Sequence, residues 1–147
     1  MRKYLILFVI LFFPITSFAQ KINYYVTLKH NKVHVRYGPS MDYQIKYIYR
    51  KAGYPLKVID RKENFRKIID HKNNSGWIHV SQLKKVNSLI VSEDTILFSK
   101  ASKFSKPLAK LEKGKLLIVK KCQENWCKVS DENYLGWINT NNVWGKN

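Results

Sequence analysis

Cysteine occurs twice in this chain of 147 residues, at Cys122 and Cys127, and histidine four times, at His30, His34, His71 and His79. Two thiols with no histidine pair at zinc spacing beside them cannot complete a tetrahedral metal site. A catalytic thiol needs a partner base, and the histidine written nearest, His79, stands far back in the chain. No paired carboxylates are framed by a recognisable motif, and no glycine-rich phosphate loop occurs. The sequence therefore predicts no enzyme, no metal and no cofactor. Acidic residues are scarce as well, 10 against 27 Lys and Arg, for a formal net charge of +17. Of those basic residues 22 are Lys and only 5 are Arg, whereas anion sites built for geometry favour the arginine fork. A sustained helical apolar stripe is missing too, which leaves strands as the expected element.

What is present begins with a leader. Residues 1–19, MRKYLILFVILFFPITSFA, combine a basic start (Arg2, Lys3), an apolar run from Tyr4 to Phe13 and a small-x-small ending at Ser17-Phe18-Ala19. That run is too short to span a bilayer as a helix. A cleavable signal peptide cut after Ala19 is expected, and with it a periplasmic or secreted protein; an uncleaved anchor is the competing reading if Pro14 to Phe18 are counted into the run. An exported chain meets an oxidising compartment, so Cys122 and Cys127 read as one disulfide, with free thiols as the alternative. Export also speaks against nucleic acid as a partner, although a basic, aromatic-rich small barrel would suit it chemically.

Beyond the leader the chain is written twice. A shift of 61 sets Tyr43 on Phe104, Gly53 on Gly114, Val58 on Val119, Glu63-Asn64-Phe65 on Glu124-Asn125-Trp126, Lys67-Ile68 on Lys128-Val129 and Asp70 on Asp131. A shift of 60 then sets Gly76-Trp77-Ile78 on Gly136-Trp137-Ile138. The copies occupy residues 24–85 and 86–147. Alternating apolar residues bounded by turn signals predict strands over 31–37, 54–60, 65–69 and 76–80, and again over 95–98, 115–119, 126–130 and 136–139. Residues 43–49 are open to one helical turn instead. Four or five short strands in about sixty residues bury little as an open sheet, and closure into a barrel removes exposed edges. The expected fold is all-β, two tandem small barrels after a signal peptide. In each, glycine admits a close neighbour and tryptophan spreads apolar surface over a small core.

At these residues the chain resembles the bacterial Src-homology-3-like (SH3-like) domains of exported and cell-wall-associated proteins. The strand and turn Val33-His34-Val35-Arg36-Tyr37-Gly38-Pro39-Ser40 is similar to that family's Leu-Asn-Val-Arg-x-Gly-Pro-Ser. Gly76-Trp77-Ile78 and Gly136-Trp137-Ile138 are similar to its Gly-Trp-Val, and Phe65 to Ile68 and Trp126 to Val129 to its Trp-x-x-Val strand. The Cys122/Cys127 pair and Val143-Trp144-Gly145 resemble tandem versions of the family. The resemblance implies SH3-like barrels and a binding role, toward peptide stems of cell wall or toward proteins. In the second copy the turn reads Thr95-Ile96-Leu97-Phe98-Ser99-Lys100-Ala101, so a ligand surface carried on that turn is implied for the first barrel only.

Two groups of residues are candidate ligand sites. Arg36, Tyr37, Pro39 and Tyr43 can form an aromatic and cationic wall for an extended peptide; the competing reading is that Gly38 and Pro39 set the turn while Tyr43 packs on the core. Cys122 and Cys127 correspond to Arg61 and Arg66, so if the cysteines face each other across a hairpin the arginines do too. With Lys62 and Lys67 they would gather four positive charges, an anion site or simply a solvated basic face. Trp77, Trp137 and Trp126 read as structural, and Trp144 as a lid on the second barrel or a residue between barrels. The first copy carries 14 basic and 4 acidic side chains, the second 10 and 6. The function expected is non-catalytic binding of a cell-wall peptide or an envelope protein, with the first barrel as the binding unit. The alternatives are charge-driven binding of anionic envelope polymer or lipid headgroups, and a structural subunit of an envelope complex.

Overall fold

A computed structural model of the protein describes residues 21–146. The expected leader over residues 1–19 lies outside the described residues, as does Asn147. The first sheet comprises β1 (Tyr24–Leu28), β2 (Val33–Arg36), β3 (Ile45–Tyr49), β4 (Pro55–Lys62), β5 (Phe65–Ile69), β6 (Ser75–His79) and β7 (Leu83–Lys85), hydrogen-bonded in the order β3-β2-β6-β5-β4-β1-β7. The second comprises β8 (Ser88–Val91), β9 (Thr95–Phe98), β10 (Pro107–Leu111), β11 (Leu116–Gln123), β12 (Trp126–Ser130), β13 (Leu135–Asn139) and β14 (Val143–Trp144), in the order β10-β9-β13-β12-β11-β8-β14. The two orders are the same permutation, and a single 3-10 turn follows β6 and β13, at Val80–Gln82 and Thr140–Asn142. The chain is all-β, two small barrels in tandem. Residues 45–49, open in the sequence to a helical turn, form β3, because Tyr47 and Tyr49 alternate onto the core with outward Lys46 and Ile48 between them.

Each barrel closes on a small interior. Leu28, Val33, Val35, Leu56, Val58, Ile68 and Ile78 fill the first, with Tyr47, Tyr49, Tyr54 and Leu83 leaning on it. Leu89, Val91, Leu97, Leu111, Leu117, Cys127, Val129 and Ile138 fill the second. In both barrels the long fourth strand carries an irregularity: the register steps between Val58 and Asp60, and between Val119 and Lys121. Ile59, off phase in the sequence, is the extra residue of that bulge and stays exposed.

The Gly-Trp-Ile repeat departs from expectation in one respect. Gly76 and Ile78 face the interior, but Trp77 between them faces outward, so the tryptophan does not cover the core. A Cβ at position 76 would stand 2.3 Å from Val35 Cγ1 and 3.0 Å from the Arg36 carbonyl oxygen. At position 136 it would stand 2.7 Å from the Phe98 carbonyl oxygen and 2.8 Å from Leu97 Cγ. The glycine is therefore the device that lets the second strand of each barrel lie against the sixth, with Arg36 opposite Trp77 and Phe98 opposite Trp137.

Those pairings also correct the repeat. From β2 to β3 the shift is 62, not 61: Tyr37 N donates to the Gln44 carbonyl as Ser99 N does to that of Lys106, and Tyr43 N to that of Ser40 as Ser105 N does to that of Ser102. Phe104 thus takes the place of Asp42, and Ser105 that of Tyr43.

Asp70, 2 % exposed, organises the turn between β5 and β6. Its carboxylate accepts from Lys72 N and Asn74 N at 2.9 Å and from Asn74 Nδ2 and Tyr49 Oη at 3.0 Å. Burial pushes its pKa up, but those donors overcome it and hold the group below the usual carboxylate range. Asp131 holds the matching turn by accepting from Asn133 N and Tyr134 N, with Lys115 Nζ 2.8 Å away.

The barrels meet through outward residues of β1 and β8. Thr27, fully buried, donates to the Lys85 carbonyl at 3.2 Å, and Ser88 donates across to the Gly53 carbonyl. Trp144 stands edge-on to Tyr25 with ring centroids 5.2 Å apart, and so sits between the barrels. Ile90, 1 % exposed yet outside the second barrel's core, lies on the same face of β8 as Ser88.

Two outcomes follow. Gly76→Ala lowers unfolding free energy by about 1–3 kcal/mol or more, since the methyl meets side chain and backbone at once. Gly53→Ala, at φ +77° with open space around it, costs about 1–2 kcal/mol from backbone strain alone; urea titration ranks the two, and a milder Gly76→Ala contradicts the packing account. Asp70→Asn destabilises by about 1–3 kcal/mol at neutral pH. Because the folded-state pKa is depressed, that contribution is present above the unfolded carboxylate value of about 4 and fades as pH falls through the lower folded value. A deficit unchanged between neutral and strongly acid pH in paired melts refutes it.

Candidate ligand cleft

Alternation places Val33 and Val35 of β2 inside and His34 and Arg36 outside. On β6 the same alternation sets Trp77 and His79 outside, and on β5 Phe65 and Lys67. Register then brings these outward residues together: Phe65 lies opposite His79, and Trp77 lies between Arg36 and Lys67. Phe65 is only 7 % exposed although it points away from the core, because His79 covers it edge-on at 5.2 Å between centroids. The result is a cleft of about 250 Å³ floored by Phe65 and His79 and walled by Lys32, His34, Arg36, Met41 and Gln82. Among the described residues no carboxylate lines it.

Two of these groups are locally pinned. Arg36 Nη1 donates to the Tyr43 carbonyl at 2.7 Å, which holds the guanidinium against the 37–44 loop and leaves its other N–H groups free to point elsewhere. His79 Nδ1 accepts from Ser81 N at 3.2 Å and caps the 3-10 turn, so in the neutral ring Nε2 carries the proton and is the remaining donor. Lys32 and Arg36 give the cleft two fixed positive charges, and the Phe65 ring gives it an apolar floor.

The second barrel has a cleft at the same place, and every wall is rewritten. It measures about 370 Å³ and is lined by Asp94, Ile96, Phe98, Lys103, Asn139 and Asn142, among others. By strand position these replace Lys32, His34, Arg36, Met41, His79 and Gln82. Asp94 is engaged by Lys110 at 3.4 Å and by the Lys113 N–H at 3.0 Å. A basic groove in one barrel thus stands as a largely neutral one in the other.

Of the residues singled out from sequence, Arg36 lines the cleft, whereas Tyr37, Pro39 and Tyr43 do not. Tyr37 is 62 % exposed beneath Lys46 Nζ, 5.7 Å from its ring centre. Tyr43 folds over Gly38, where an added Cβ would meet its ring at 2.5 Å, while Pro39 shapes the same turn half-buried. At the β4–β5 hairpin Arg61 lies opposite Arg66 as Cys122 lies opposite Cys127, and the two cysteines are bonded. The four cations there do not converge, however. Arg61 and Arg66 belong to the inward-facing set at the barrel's end, Lys62 and Lys67 to the outward set. Arg66 donates from Nη1 to the Glu63 and Phe65 carbonyls at 2.9 Å and from Nε to Tyr24 Oη at 3.3 Å, so it ties up its own hairpin. Cys127, at the corresponding place, is fully buried. Lys67 stands between Asp60 and Trp77. Trp126 packs edge-on against Phe98 at 5.8 Å, and Trp137 lies under Lys121 at 5.4 Å.

Lys32, His34, Phe65, His79, Met41 and Gln82 were not singled out as ligand residues from sequence. The signal for the first four lay in alternation: His34 stands two before Arg36 and His79 two after Trp77, each off phase with the buried valines and Ile78. Only pairing across strands shows that the two histidines share a face.

A family model described as the bacterial SH3 domain matches residues 29–85 and again 91–145. Two solved structures from Trichomonas vaginalis, those of NlpC2 and NlpC1, are similar to the chain at 12 % identity and a TM-score of 0.39 each. The alignments cover 87 % and 88 % of this chain but 50 % and 48 % of theirs, so the chain spans about half their length. No curated protein matches it. With both of its copies matched by one family, the chain belongs to the bacterial SH3 domain proteins.

Proposed function

We propose that the protein is a non-catalytic binding module of the cell envelope whose first barrel grips an extended, acidic peptide, either a peptide stem of cell wall or a segment of an envelope protein. The observation that carries this reading is the cleft between β2, β6 and β5. Its two fixed cations and two imidazoles surround an aromatic floor, with no carboxylate among the lining residues. A ligand carboxylate would meet Lys32 and the free N–H groups of Arg36, and its apolar neighbour would lie on Phe65. The contrast between copies supports it: the second barrel keeps the fold but has Phe98 in the place of Arg36 and Asn139 in that of His79, and its cleft carries Asp94 as well as Lys103, so the net positive charge of the first is gone. Residues 1–19 and the Cys122–Cys127 disulfide support export to the periplasm or beyond.

Titration with soluble cell-wall stem peptides bearing free carboxylates, followed by calorimetry at about 0.1 M salt, tests this. Lys32→Ala and His34→Ala are each expected to weaken binding about tenfold, the loss of roughly 1.4 kcal/mol per charge-assisted hydrogen bond. Lys120→Ala, an exposed cation on the second barrel, leaves affinity unchanged. Equal weakening by all three, with a steep fall in salt, overturns the cleft in favour of diffuse attraction to anionic polymer.

A further inference from the structure

The loop that carries the turn motif in the first barrel has been rebuilt in the second on the same backbone. Residues 37–44 and 99–106 are equal in length and share three hydrogen bonds: Tyr37 N to the Gln44 carbonyl as Ser99 N to that of Lys106, Tyr43 N to the Ser40 carbonyl as Ser105 N to that of Ser102, and a serine hydroxyl that accepts from the residue two further on, Ser40 from Asp42 N and Ser102 from Phe104 N. Their chemistry does not coincide. Gly38, Met41, Asp42 and Gln44 give way to Lys100, Lys103, Phe104 and Lys106, so a loop with one negative charge becomes a loop with three positive ones. No acidic residue occurs anywhere in residues 95–111.

Phe104 stands at the apex of this loop fully open to solvent, at 101 % of the reference exposure. The loop that displays it is held in place: Ser105 Oγ donates to the Ser102 carbonyl at 2.8 Å and accepts from Lys100 N at 3.2 Å. Exposed apolar side chains also stand on and beside β13 of the same barrel. β13 is antiparallel to β9 with Trp137 opposite Phe98, and Leu135, two residues before Trp137 on the same outward face of β13, is 52 % exposed. Tyr134 precedes it at 46 % exposure, and Ile118, 38 % exposed, lies two strands away through Ser130. The matching rungs of the first barrel hold Lys57, Ile69 and Ser75. Asp131 in the neighbouring turn is neutralised by Lys115, leaving Glu132 as the exposed carboxylate of that turn among the described residues.

We propose that this end of the second barrel docks on an anionic phospholipid surface, with Phe104 inserted among the headgroups and Lys100, Lys103 and Lys106 on the phosphates around it. A lone aromatic ring on a convex apex, collared by lysines, suits a surface that yields around it; a protein partner would have to supply a socket cut to its shape. Aromatic insertion and cationic contact are each weak alone and add at a bilayer interface. The docking is independent of the first barrel's cleft, so either can fail without the other.

The test is sedimentation of the protein, recovered from the exported fraction of expressing cells, with vesicles of phosphatidylcholine alone or mixed with phosphatidylglycerol. Binding is expected to the mixed vesicles and not to the neutral ones. Phe104→Ser weakens it about tenfold, as one buried aromatic ring requires, and the triple change of Lys100, Lys103 and Lys106 to Gln abolishes it, while the binding of cell-wall stem peptide stays unchanged in both variants. Phe104→Trp keeps binding, and the fluorescence it adds over wild type shifts to the blue with mixed vesicles. Wild-type affinity in Phe104→Ser, no shift in Phe104→Trp, or equal capture by a soluble acidic peptide each overturns the proposal.

Discussion

The approach of β2 to β6 at Gly76, repeated by β9 and β13 at Gly136, is the constraint on which the rest of each barrel depends. With only seven or eight buried side chains inside, a barrel cannot hold its sheets apart and still exclude water. Removing one Cβ from the sixth strand brings Val35, or Leu97, down onto it. The same step dictates what happens outside. Once Gly76 and Ile78 face in, Trp77 and His79 face out, and the β2 residues drawn close to them are Arg36 and His34. The cleft is thus a by-product of the packing that closes the core.

Given a common frame, the two copies solve the same local problems with different chemistry. The open end of the first barrel is tied by Arg66, bonded to two carbonyls and to Tyr24; the second uses a covalent bond between Cys122 and Cys127. The aspartate of the β5–β6 turn is met by a tyrosine from a stacked cluster, Tyr49 on Tyr54 at 5.4 Å, and its counterpart by Lys115. Beside Asp131 that lysine lowers the carboxyl pKa chiefly through its hydrogen bond, whereas in the first barrel Tyr49 is itself driven well up, foremost by burial. The glycine approach recurs in both copies, whereas every wall of the cleft and much of the loop after the second strand are rewritten.

The joint between barrels constrains both. Thr27 and Ser88 are polar yet wholly buried: Thr27 donates to the Lys85 carbonyl of its own sheet, with Asn87 Oδ1 at 3.4 Å, while Ser88 donates across the boundary to the Gly53 carbonyl. Gly145, at φ +113°, comes so close that a Cβ there would meet the Ser88 carbonyl at 2.9 Å and Pro55 Cβ at 3.1 Å. β8 is consequently buried on both faces, Leu89 and Val91 toward its own core and Ser88 and Ile90 away from it.

Much of this could be read from residues alone. Alternation around Val33 and Val35, turn residues at fixed offsets and the doubled Gly-Trp-Ile specify strands, their number and their duplication, because side-chain direction in a strand depends only on parity. The opposition of Arg61 and Arg66 was legible for the same reason, through the cysteines that stand in their places. Parity does not say which parity faces in, however, and there the tryptophan, though the larger apolar group, yields the interior to glycine because β2 needs the space. Nor does it pair residues distant in sequence: His34 with His79, or Phe98 with Trp137, become neighbours only when strands are laid side by side in a particular register. Local pattern determined the elements, their repetition and the lysines of the 99–106 loop; the cleft and the buried joint were decided by which faces the small core could afford to turn outward.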